Sequence, residues 1–428
     1  MVSTAWCFGV VEMKWPASAY ARDQLPERIL QFGSGMLLRA LCVAAVDTAN
    51  RAGARAGRIV VVQSTAEGAS RTRALNAQDG LFTLIERGLS GGAPVERVGL
   101  IGAISRALTA DDQWNVVRDV AANPAIQVIV SNVSEAGFRI DAPFPARLTD
   151  ALQARFTRAP DAPPVFVIPT ELVPDNGPRL AAMVHEMAKK YNNRFRDWIE
   201  ARVRFCSSLV DRIVTAGSEA KLGYRDALVT VTEPYALWAI EADPAELRRV
   251  LPIESANVVF APDIAFYRER KLRLLNAVHT ATAPLAALAG VRTVRDATVH
   301  PLFGPFMKRL LFDEIIPATE IPADDARAFA NQVLERFANP WLEHEWRVIA
   351  TNQEEKFRIR VLPVIVRRPA AGLALAAAAH LTFTRASLET LGDAARIPEF
   401  VTTTERWMAI LARDGALAAV RDSLKHPA

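Results

Sequence analysis

Lys271, Asn276 and His279 bring an amine, an amide and an imidazole into one short segment of the chain. On an α-helix, at about 100° per residue, the asparagine and the histidine would lie roughly 140° and 80° around the axis from the lysine. The three side chains could therefore reach one bound hydroxyl or carbonyl group. Desolvation by neighbouring leucines would lower the pKa of the lysine, and a neutral amine can act as a general base. The spacing predicts a proton-transfer site without a metal, and a solvated lysine beside a packed histidine is the alternative.

A glycine-rich turn, Gln31-Phe32-Gly33-Ser34-Gly35, joins an apolar strand to the start of a helix. Gly33 would make the tight turn, and Gly35 would let the backbone approach a pyrophosphate at the N-terminus of that helix. The third glycine of a dinucleotide-binding fingerprint is missing, and Leu38 or Arg39 stands in its place. A junction of this kind could also serve packing alone.

A helix over residues 36–52 and a buried apolar strand over residues 59–62 follow the turn and complete a βαβ unit. Gln63 ends this strand, where an acidic residue would bind the ribose 2′-hydroxyl of NAD. The pattern therefore favours a nicotinamide dinucleotide and leaves NAD and NADP open. Arg71 and Arg73 could meet a 2′-phosphate or lie on the surface of the next helix.

Asn132 and Gly137 come just after another apolar strand. An open α/β sheet has its ligand crevice at that edge, so these residues are candidates to contact ribose or nicotinamide. A turn that caps the strand is the alternative.

Strands and helices alternate through the first half of the chain, which predicts a parallel α/β fold. From about residue 267 onward the apolar spacing becomes that of helices. We therefore predict a Rossmann-type dinucleotide-binding domain over residues 24–266, followed by a mostly α-helical substrate and catalytic domain over residues 267–428. The apolar runs that carry this prediction cover residues 59–62, 81–85, 126–130 and 165–168, and the helical patterns cover residues 110–122 and 178–191.

The composition of the 428 residues, half of them hydrophobic, suffices for two domains with cores of their own. The 51 basic and 47 acidic residues are interspersed and leave a net charge of +4, which disfavours nucleic-acid binding. Cys7, Cys42 and Cys206 are far apart, as expected of free thiols in the cytoplasm, and no metal-binding spacing occurs. No apolar run predicts a membrane span or a signal peptide, and the first 22 residues are expected to form a loose extension.

Five segments, in order along the chain, resemble the polyol-specific long-chain dehydrogenases typified by mannitol dehydrogenase and the uronate reductases. The resemblance implies a Rossmann-type domain, a helical domain, no metal, and hydride transfer between a nicotinamide and a secondary alcohol or ketone. It implies that Lys271 is the general acid and base, that Asn276 binds the oxyanion and that His279 orients the substrate. The segments cover residues 31–35, 131–137, 208–213, 271–281 and 336–340.

Asp211, within the third of these segments, resembles the signature acid of the family near the substrate. It could hydrogen-bond a sugar hydroxyl or tune the lysine, and an Asp–Arg pair that joins two elements is the alternative. The residues predicted to contact the cofactor are Phe32, Gly33, Ser34, Gly35, Gln63, Asn132 and Gly137.

Glu171-Leu172 stands where mannitol dehydrogenases have an Asp-Asn-Leu pattern, and in this the chain is similar to the uronate branch of the family. The expected reaction interconverts a sugar acid, such as altronate, with its keto form. The alternatives are an uncharged polyol such as mannitol as substrate, or a catalytically inactive dinucleotide-binding sensor. We expect a monomer or a weak dimer.

A uronate carboxylate calls for a fixed cation, because a guanidinium can bind both of its oxygens. We favour Arg336 and Lys356 for this role among four candidates, and surface charges are the alternative. The other two candidates are Arg358 and Arg360.

Overall fold

The computed structural model describes residues 13–16, 19–65, 68–217 and 222–425. The chain divides into two compact units. The first comprises Met1–Arg87 and Glu96–Ile264, and the second comprises Gly88–Val95 and Ala265–Ala428. The prediction from sequence that residues 1–22 form a loose extension without a signal peptide falls largely on residues 1–12 and 17–18, which lie outside the described residues, as does Cys7.

The strands of the described residues form three sheets. They are β1 (Glu27–Phe32), β2 (Arg58–Gln63), β3 (Phe82–Ser90), β4 (Ala93–Ile101), β5 (Ile104–Thr109), β6 (Val128–Ser131), β7 (Val165–Pro169), β8 (Val203–Phe205), β9 (Ser208–Asp211), β10 (Val214–Ala216), β11 (Thr230–Thr232), β12 (Leu237–Glu241) and β13 (Val258–Ala261).

The main sheet has six strands in the order β5-β2-β1-β6-β7-β8, and every neighbouring pair is parallel. Numbered along the chain, these strands have the order 3-2-1-4-5-6 of the Rossmann fold, with the switch point between β1 and β6. Alternate residues pack on opposite faces: Ile29 lies in one apolar cluster and Leu30 in the other. Burial on both faces explains why these strands are continuous apolar runs.

Two strands differ from the prediction. The apolar run over residues 81–85 belongs to β3, which lies in a separate sheet of order β10-β11-β3-β4. The place beside β2 is taken by β5, whose polar residues hide its strand character. Ser105 and Arg106 of this edge strand both donate to the carboxylate of Glu27, at 2.8 and 2.9 Å. The third sheet has the order β13-β12-β9.

The helices of the first unit cover the faces of the main sheet, and those predicted at residues 36–52, 110–122 and 178–191 are confirmed within a few residues. A π-helical segment, Arg39–Val43, interrupts the first of them. They are α1 (Met36–Leu38), α2 (Ala44–Arg51), α3 (Ala69–Ala77), α4 (Ala110–Ala122), α5 (Pro143–Arg158), α6 (Asn176–Ala188), α7 (Asn193–Arg202) and α8 (Pro244–Val250), with 3₁₀ turns at Arg22–Gln24 and Glu135–Gly137.

The described residues before β1 are packed rather than loose. The hydroxyl of Tyr20 donates to the buried carboxylate of Asp47 at 2.8 Å, and burial, together with this carboxylate, raises the pKa of the phenol. The same carboxylate accepts the N–H of Gly102 at 2.9 Å and the guanidinium of Arg51 at 2.6 Å. The Arg51 guanidinium in turn lies 4.7 Å from the ring centroid of Trp15. The expectation of a loose extension is therefore wrong for these residues, because a phenol and an indole complete a buried polar cluster.

The second unit is helical, as the sequence predicts, apart from Gly88–Val95, where β3 ends and β4 begins. It contains π-helical segments at Lys271–Ala277 and Leu310–Ile315, and 3₁₀ segments at Ile316–Ala318 and Leu388–Arg396. Its α-helices are α9 (Ala265–Arg270), α10 (Val278–Leu288), α11 (Val294–Val299), α12 (Phe303–Arg309), α13 (Ala323–Phe337), α14 (Trp346–Ile349), α15 (Gln353–Arg360), α16 (Leu362–Arg367), α17 (Ala371–Thr384) and α18 (Pro398–Ser423).

The alanine-rich α17 is the centre of this unit and packs against α10 and α18. Its N-terminus is capped by the buried carboxylate of Glu314, which accepts the N–H groups of Gly372 at 3.0 Å and Leu373 at 2.8 Å. Burial raises the pKa of Glu314. Within the described residues, no helix is both long and apolar enough to cross a bilayer.

Candidate active site

Gly33 forms the turn after β1 at the switch point of the main sheet. Its φ of 117° lies in the region that favours glycine, and its N–H donates to the carbonyl of Val62 at 2.9 Å. A Cβ at this position would lie 2.8 Å from the carbonyl oxygen of Asn132. Glycine therefore lets the ends of β1 and β6 approach each other. The crevice in which Rossmann folds bind nucleotides lies at this switch point.

Gly35 begins the helix that runs through residues 36–51. Its φ of −65° suits any residue, and, apart from its two chain neighbours, no atom of the described residues lies within 4 Å of the place that a Cβ would occupy. The open space adjoins the first N–H groups of the helix, and Gly35 at the N-cap has no side chain to cap them. Free N–H groups and the helix dipole favour an anion at such a place, so the loop fits a pyrophosphate.

Ser34 and Gln63 bind each other rather than facing outward. The hydroxyl of Ser34 donates to the amide oxygen of Gln63, and the amide nitrogen donates to the hydroxyl of Thr65 at 2.9 Å. A Cβ at Gly68 would lie 1.9 Å from this amide, so glycine is required where the loop closes over it. Gln63 therefore ties the glycine loop to the segment after β2, and its predicted contact with the cofactor stays a prediction.

Arg39, at the place of the missing third glycine, holds the glycine loop through hydrogen bonds. It is buried, donates to the carbonyl of Ser34 at 2.7 Å and to the hydroxyl of Thr230 at 3.1 Å. Burial and the nearby cation Arg71 lower its pKa to about 10. The sequence marks this position only as a departure from the fingerprint, because the hydroxyl that accepts its bond lies far along the chain.

Asn132 and Gly137 lie after β6, at the same edge of the sheet. The amide of Asn132 donates to the carbonyl and the hydroxyl of Thr170, at 3.1 and 2.9 Å. The N–H of Gly137 bonds the hydroxyl of Ser134, at 3.2 Å, in a 3₁₀ turn. These bonds are those of a strand-capping turn, and contact with the cofactor stays a prediction for both residues.

Glu171 is a buried carboxyl group at the end of β7. It accepts the N–H of Val133 at 2.9 Å and the hydroxyl of Ser131 at 3.2 Å, and burial raises its pKa. The amide of Asn176 donates to the carbonyls of Glu171 and Ser208, at 3.0 and 2.9 Å. The ends of β7 and β9 are thus joined by one side chain.

Asp211 is the last residue of β9 and is buried. Its neighbour Arg212 binds the carboxylate of Glu86 and the carbonyls of Ala40 and Glu233. Arg212 is therefore the structural cation of this segment. The place of Asp211 near the substrate stays a prediction.

Lys271 is the first residue of the π-helical segment of the second unit. Lys271 and Asn276 are half-buried within this segment, and His279 is buried in the α-helix that follows. The angles expected from an α-helix do not apply, because a π-helix bonds residue i to i+5. Arg273 fixes the segment through the carbonyls of Ile359 and Arg360, at 2.9 and 3.0 Å. Single π turns within α-helices occur often at functional sites.

The imidazole of His279 has a buried Nε2 without a hydrogen-bond partner among the described residues. Its ring stacks on Phe337 and meets the rings of His344 and Trp346 edge-on, at centroid distances of 5.5 and 5.8 Å. Burial, then His344 and Arg336, hold the pKa of His279 well below its usual value. The side chain is therefore a neutral imidazole with one unsatisfied nitrogen, which a substrate hydroxyl could satisfy.

One face of α15 carries Gln353, Lys356 and Arg360, at the spacing of successive helical turns. Gln353 donates to the carbonyl of Thr280 at 2.9 Å, and Arg360 donates to its hydroxyl at 3.2 Å. Lys356 donates to the carbonyl of Ile349 at 2.9 Å. Burial and the neighbouring Arg360 lower the pKa of Lys356. This face thus brings two cations to the helix that carries His279.

Three of the four predicted cations lie near His279. Arg336 is buried on α13, and Arg336, Lys356 and Arg360 all act electrostatically on His279. Arg358 lies exposed on the other side of α15. Arg358 is therefore the one candidate that the structure does not bring near His279. Over the ranges that the structure describes, no cluster of three His, Cys, Asp or Glu side chains could hold a metal.

The strand order, the glycine loop and the helical second unit define a Rossmann-type protein with a separate α-helical domain. Residues 27–251 match the family model of the mannitol dehydrogenase Rossmann domain, and residues 263–389 match that of the mannitol dehydrogenase C-terminal domain. The chain belongs to the mannitol dehydrogenase family. The family and the fold class predicted from the sequence are confirmed.

Curated relatives include the altronate oxidoreductases of Halalkalibacterium halodurans and Bacillus subtilis. The first is 37% identical over 80% of this chain and 71% of its own length. The second is 36% identical over 80% of this chain and 75% of its own length.

Two solved structures are similar over almost the whole chain. The mannitol 2-dehydrogenase of Pseudomonas fluorescens, in a ternary complex with NAD and D-mannitol, is 26% identical with a TM-score of 0.73, covering 96% of both chains. A substrate-free D-sorbitol dehydrogenase has a TM-score of 0.84 at 22% identity, covering 95% of this chain and 98% of its own, and shows the shared fold.

Proposed function

We propose that this chain is an NAD-dependent oxidoreductase that interconverts a sugar acid and its keto form, with altronate and tagaturonate as the first pair to test. The observation that carries the proposal is the group of Arg336, Lys356 and Arg360 around the neutral imidazole of His279. Three cations suit a substrate carboxylate, which binds a guanidinium or an ammonium more strongly than a neutral hydroxyl does. The altronate oxidoreductases among the relatives support the same substrate class.

The first unit would hold the cofactor through its glycine loop. The open space at Gly35 and the uncapped N–H groups of the helix fit a pyrophosphate, and the relative solved with NAD supports this dinucleotide. Bound nicotinamide would accept a hydride from the alcohol carbon, or return one to the carbonyl carbon.

Lys271 would transfer the proton of the reacting oxygen, and Asn276 and His279 would stabilise the charge on that oxygen. In oxidation the neutral amine of Lys271 takes the hydroxyl proton as the carbon loses its hydride, and in reduction the ammonium returns the proton. The amide of Asn276 and the unsatisfied nitrogen of His279 stabilise the charge on that oxygen. Asp211 would hydrogen-bond a substrate hydroxyl or tune the lysine.

A polyol such as mannitol is the second candidate substrate, favoured by the relative solved with D-mannitol. The hydride and proton steps are the same for both classes, so the substrate class depends on the residues that bind the rest of the substrate, for which the three cations are the candidates. The finer expectations of a cytoplasmic enzyme that is a monomer or a weak dimer stay proposals. Two buried free thiols, Cys42 and Cys206, are compatible with a reducing compartment.

A steady-state screen tests the proposal. The absorbance of reduced nicotinamide is followed with D-altronate, D-mannonate and D-mannitol, and with Lys271→Ala as the control. We expect turnover with an aldonate and loss of turnover in the variant. Turnover with mannitol alone would favour the polyol. Nucleotide binding without turnover on any substrate would indicate a sensor that has kept the fold.

The role of the cations is tested by Arg336→Gln and Lys356→Gln. Each variant should raise the KM for the sugar acid by about tenfold, because each removes a charged hydrogen-bond donor from the carboxylate. An unchanged KM in both variants would mean that the carboxylate binds elsewhere.

A further inference from the structure

Arg71 places a guanidinium on the glycine loop. It extends from α3, and its Nε donates to the hydroxyl of Ser34 at 3.0 Å. The side chain is otherwise exposed, and within the described ranges no carboxylate forms an ion pair with it. Its two terminal nitrogens therefore carry four N–H bonds that can serve a ligand of the loop.

The end of β2 offers no acidic group from that strand. Gln63 stands where Rossmann proteins specific for NAD have the acid that binds the ribose 2′-hydroxyl. Its amide is buried and occupied by Ser34 and Thr65, so it cannot replace that acid. A phosphate group at this place would meet no carboxylate from β2.

Arg39 provides a second guanidinium next to the glycine loop. Arg39 and Arg71 are close enough for the charge of one to lower the pKa of the other, although Asp226 partly offsets this at Arg39. Two like charges on either side of Ser34 favour an anion in front of the loop.

We propose that Arg71 makes the ribose end of this site a 2′-phosphate site, so that the chain binds NADP(H) as well as NAD(H). The inference depends on the proposed nucleotide function. In the proposed complex with NADP(H), Arg71 keeps its bond to Ser34 and binds the 2′-phosphate through its terminal nitrogens. This is the geometry in which an arginine recognises a phosphate monoester.

Glu67 supplies the rival explanation. It is the one carboxylate in sequence between Gln63 and Arg71 and lies outside the described residues. If its carboxylate bound the 2′-hydroxyl, NADPH would be rejected through charge repulsion, and Arg71 would have no ligand of its own.

The test measures the Kd of NADPH and NADH by nicotinamide fluorescence, and the Kd of 2′,5′-ADP and 5′-ADP by calorimetry. Arg71→Gln should raise the Kd of NADPH and of 2′,5′-ADP by about tenfold, because a charged hydrogen-bond donor is lost. The same variant should raise the Kd of NADH and 5′-ADP by no more than about threefold, because these ligands lose only the longer-range attraction between the guanidinium and their pyrophosphate.

Arg73→Gln is the matched control, since Arg73 lies exposed on the same helix and no described contact joins it to the loop. This variant should leave all four constants within about twofold of the parent, which separates a specific contact from the loss of one surface charge. Equal effects of the two variants would overturn the proposal.

Two further outcomes would overturn it. One is a parent protein that binds NADH but not NADPH, with NADPH binding gained in Glu67→Gln. The other is an Arg71→Gln variant that weakens NADH and NADPH equally while it keeps the parent's melting temperature. A parent that binds neither nucleotide would instead overturn the proposed function, together with this inference.

Discussion

The imidazole of His279 stacks on the ring of Phe337, with centroids 4.1 Å apart and planes inclined by 19°. This contact fixes the plane of the imidazole and excludes water from one of its faces. The nearby cations disfavour an additional positive charge on it. The histidine is therefore built to serve as a neutral hydrogen-bonding group and not as the group that titrates during turnover.

His279→Gln should lower kcat by about a hundredfold, because one donor to the reacting oxygen is lost or displaced. The Kd of NADH should not change. The variant should keep the pH dependence of the parent in the oxidative direction, which is expected to rise with pH through the ionisation of Lys271. Rate profiles of the parent, His279→Gln and Lys271→Ala check this. A profile that flattens in the histidine variant would assign the ionisation to His279.

The two glycines of the loop should respond differently to alanine. Gly33→Ala should destabilise the chain by roughly 1–3 kcal/mol, since alanine is strained at this φ and its Cβ meets the carbonyl of Asn132. Gly35→Ala should leave the free energy of unfolding unchanged. It should raise the Kd of NADH by about tenfold, since the methyl group enters the space that the pyrophosphate would occupy. Thermal unfolding and nucleotide titration of both variants distinguish the two effects. Equal stability of the two would contradict the role of Gly33.

Arg360 and Arg358 form a matched pair on one helix. Arg360→Gln should raise the KM for the sugar acid by about tenfold and leave the KM for a polyol unchanged, because the lost charge faces the group around His279. Arg358→Gln should change neither, because Arg358 is exposed. Steady-state kinetics with both substrates measure this. A larger effect at Arg358 would show that the carboxylate approaches from the other face.

Glu314→Ala should lower the free energy of unfolding by about 2 kcal/mol, because two buried N–H groups at the start of α17 lose their acceptor. Glu405→Ala, at an exposed position of α18, is the control and should have no measurable effect. Urea unfolding compares them. Gly372→Ala should destabilise the same cap, since its Cβ would lie 2.5 Å from a carboxylate oxygen.

His380 should make the chain less stable in acid. It lies flat on Phe357, with centroids 4.1 Å apart, and burial lowers its pKa to about 4. The unfolded chain protonates this histidine below about pH 6.5 while the folded chain does not. The free energy of unfolding should therefore fall by roughly 3 kcal/mol between about pH 6.5 and pH 4, and His380 should contribute nothing further below that. His380→Gln should show a smaller loss over the same interval, and an identical loss would contradict the assignment.

The parallel sheet could be predicted because strands buried on both faces must be apolar along their length. β2, β6 and β7 have this pattern, and the glycine turn after β1 marks the switch point. β5 escaped prediction because an edge strand tolerates polar residues such as Ser105 and Arg106, which bind Glu27 of β1, the next strand but one. The run at residues 81–85 was assigned to the wrong sheet, since local apolarity does not specify the partner strand.

The residue types of the site could be predicted, but their contacts could not. Periodicity indicates a helix at Lys271, whereas the π-helical bonding depends on how this segment packs. Arg358 and Arg360 are equivalent in sequence, but in the structure Arg360 bonds Thr280 whereas Arg358 is exposed. The sequence leaves open whether Arg71 meets a 2′-phosphate or lies on the helix surface, because its bond to Ser34 arises from a fold that joins residues far apart in sequence.

The cluster of Tyr20, Asp47 and Gly102 has a practical consequence for anyone who shortens this chain. Removing the residues before β1 would take the phenol from the buried carboxylate of Asp47, which lies on the helix that begins at the glycine loop and would keep only Arg51 and the N–H of Gly102 as donors. Truncated forms would then bind dinucleotides poorly for a reason remote from the ligand. Expression designs should retain Trp15 and everything after it.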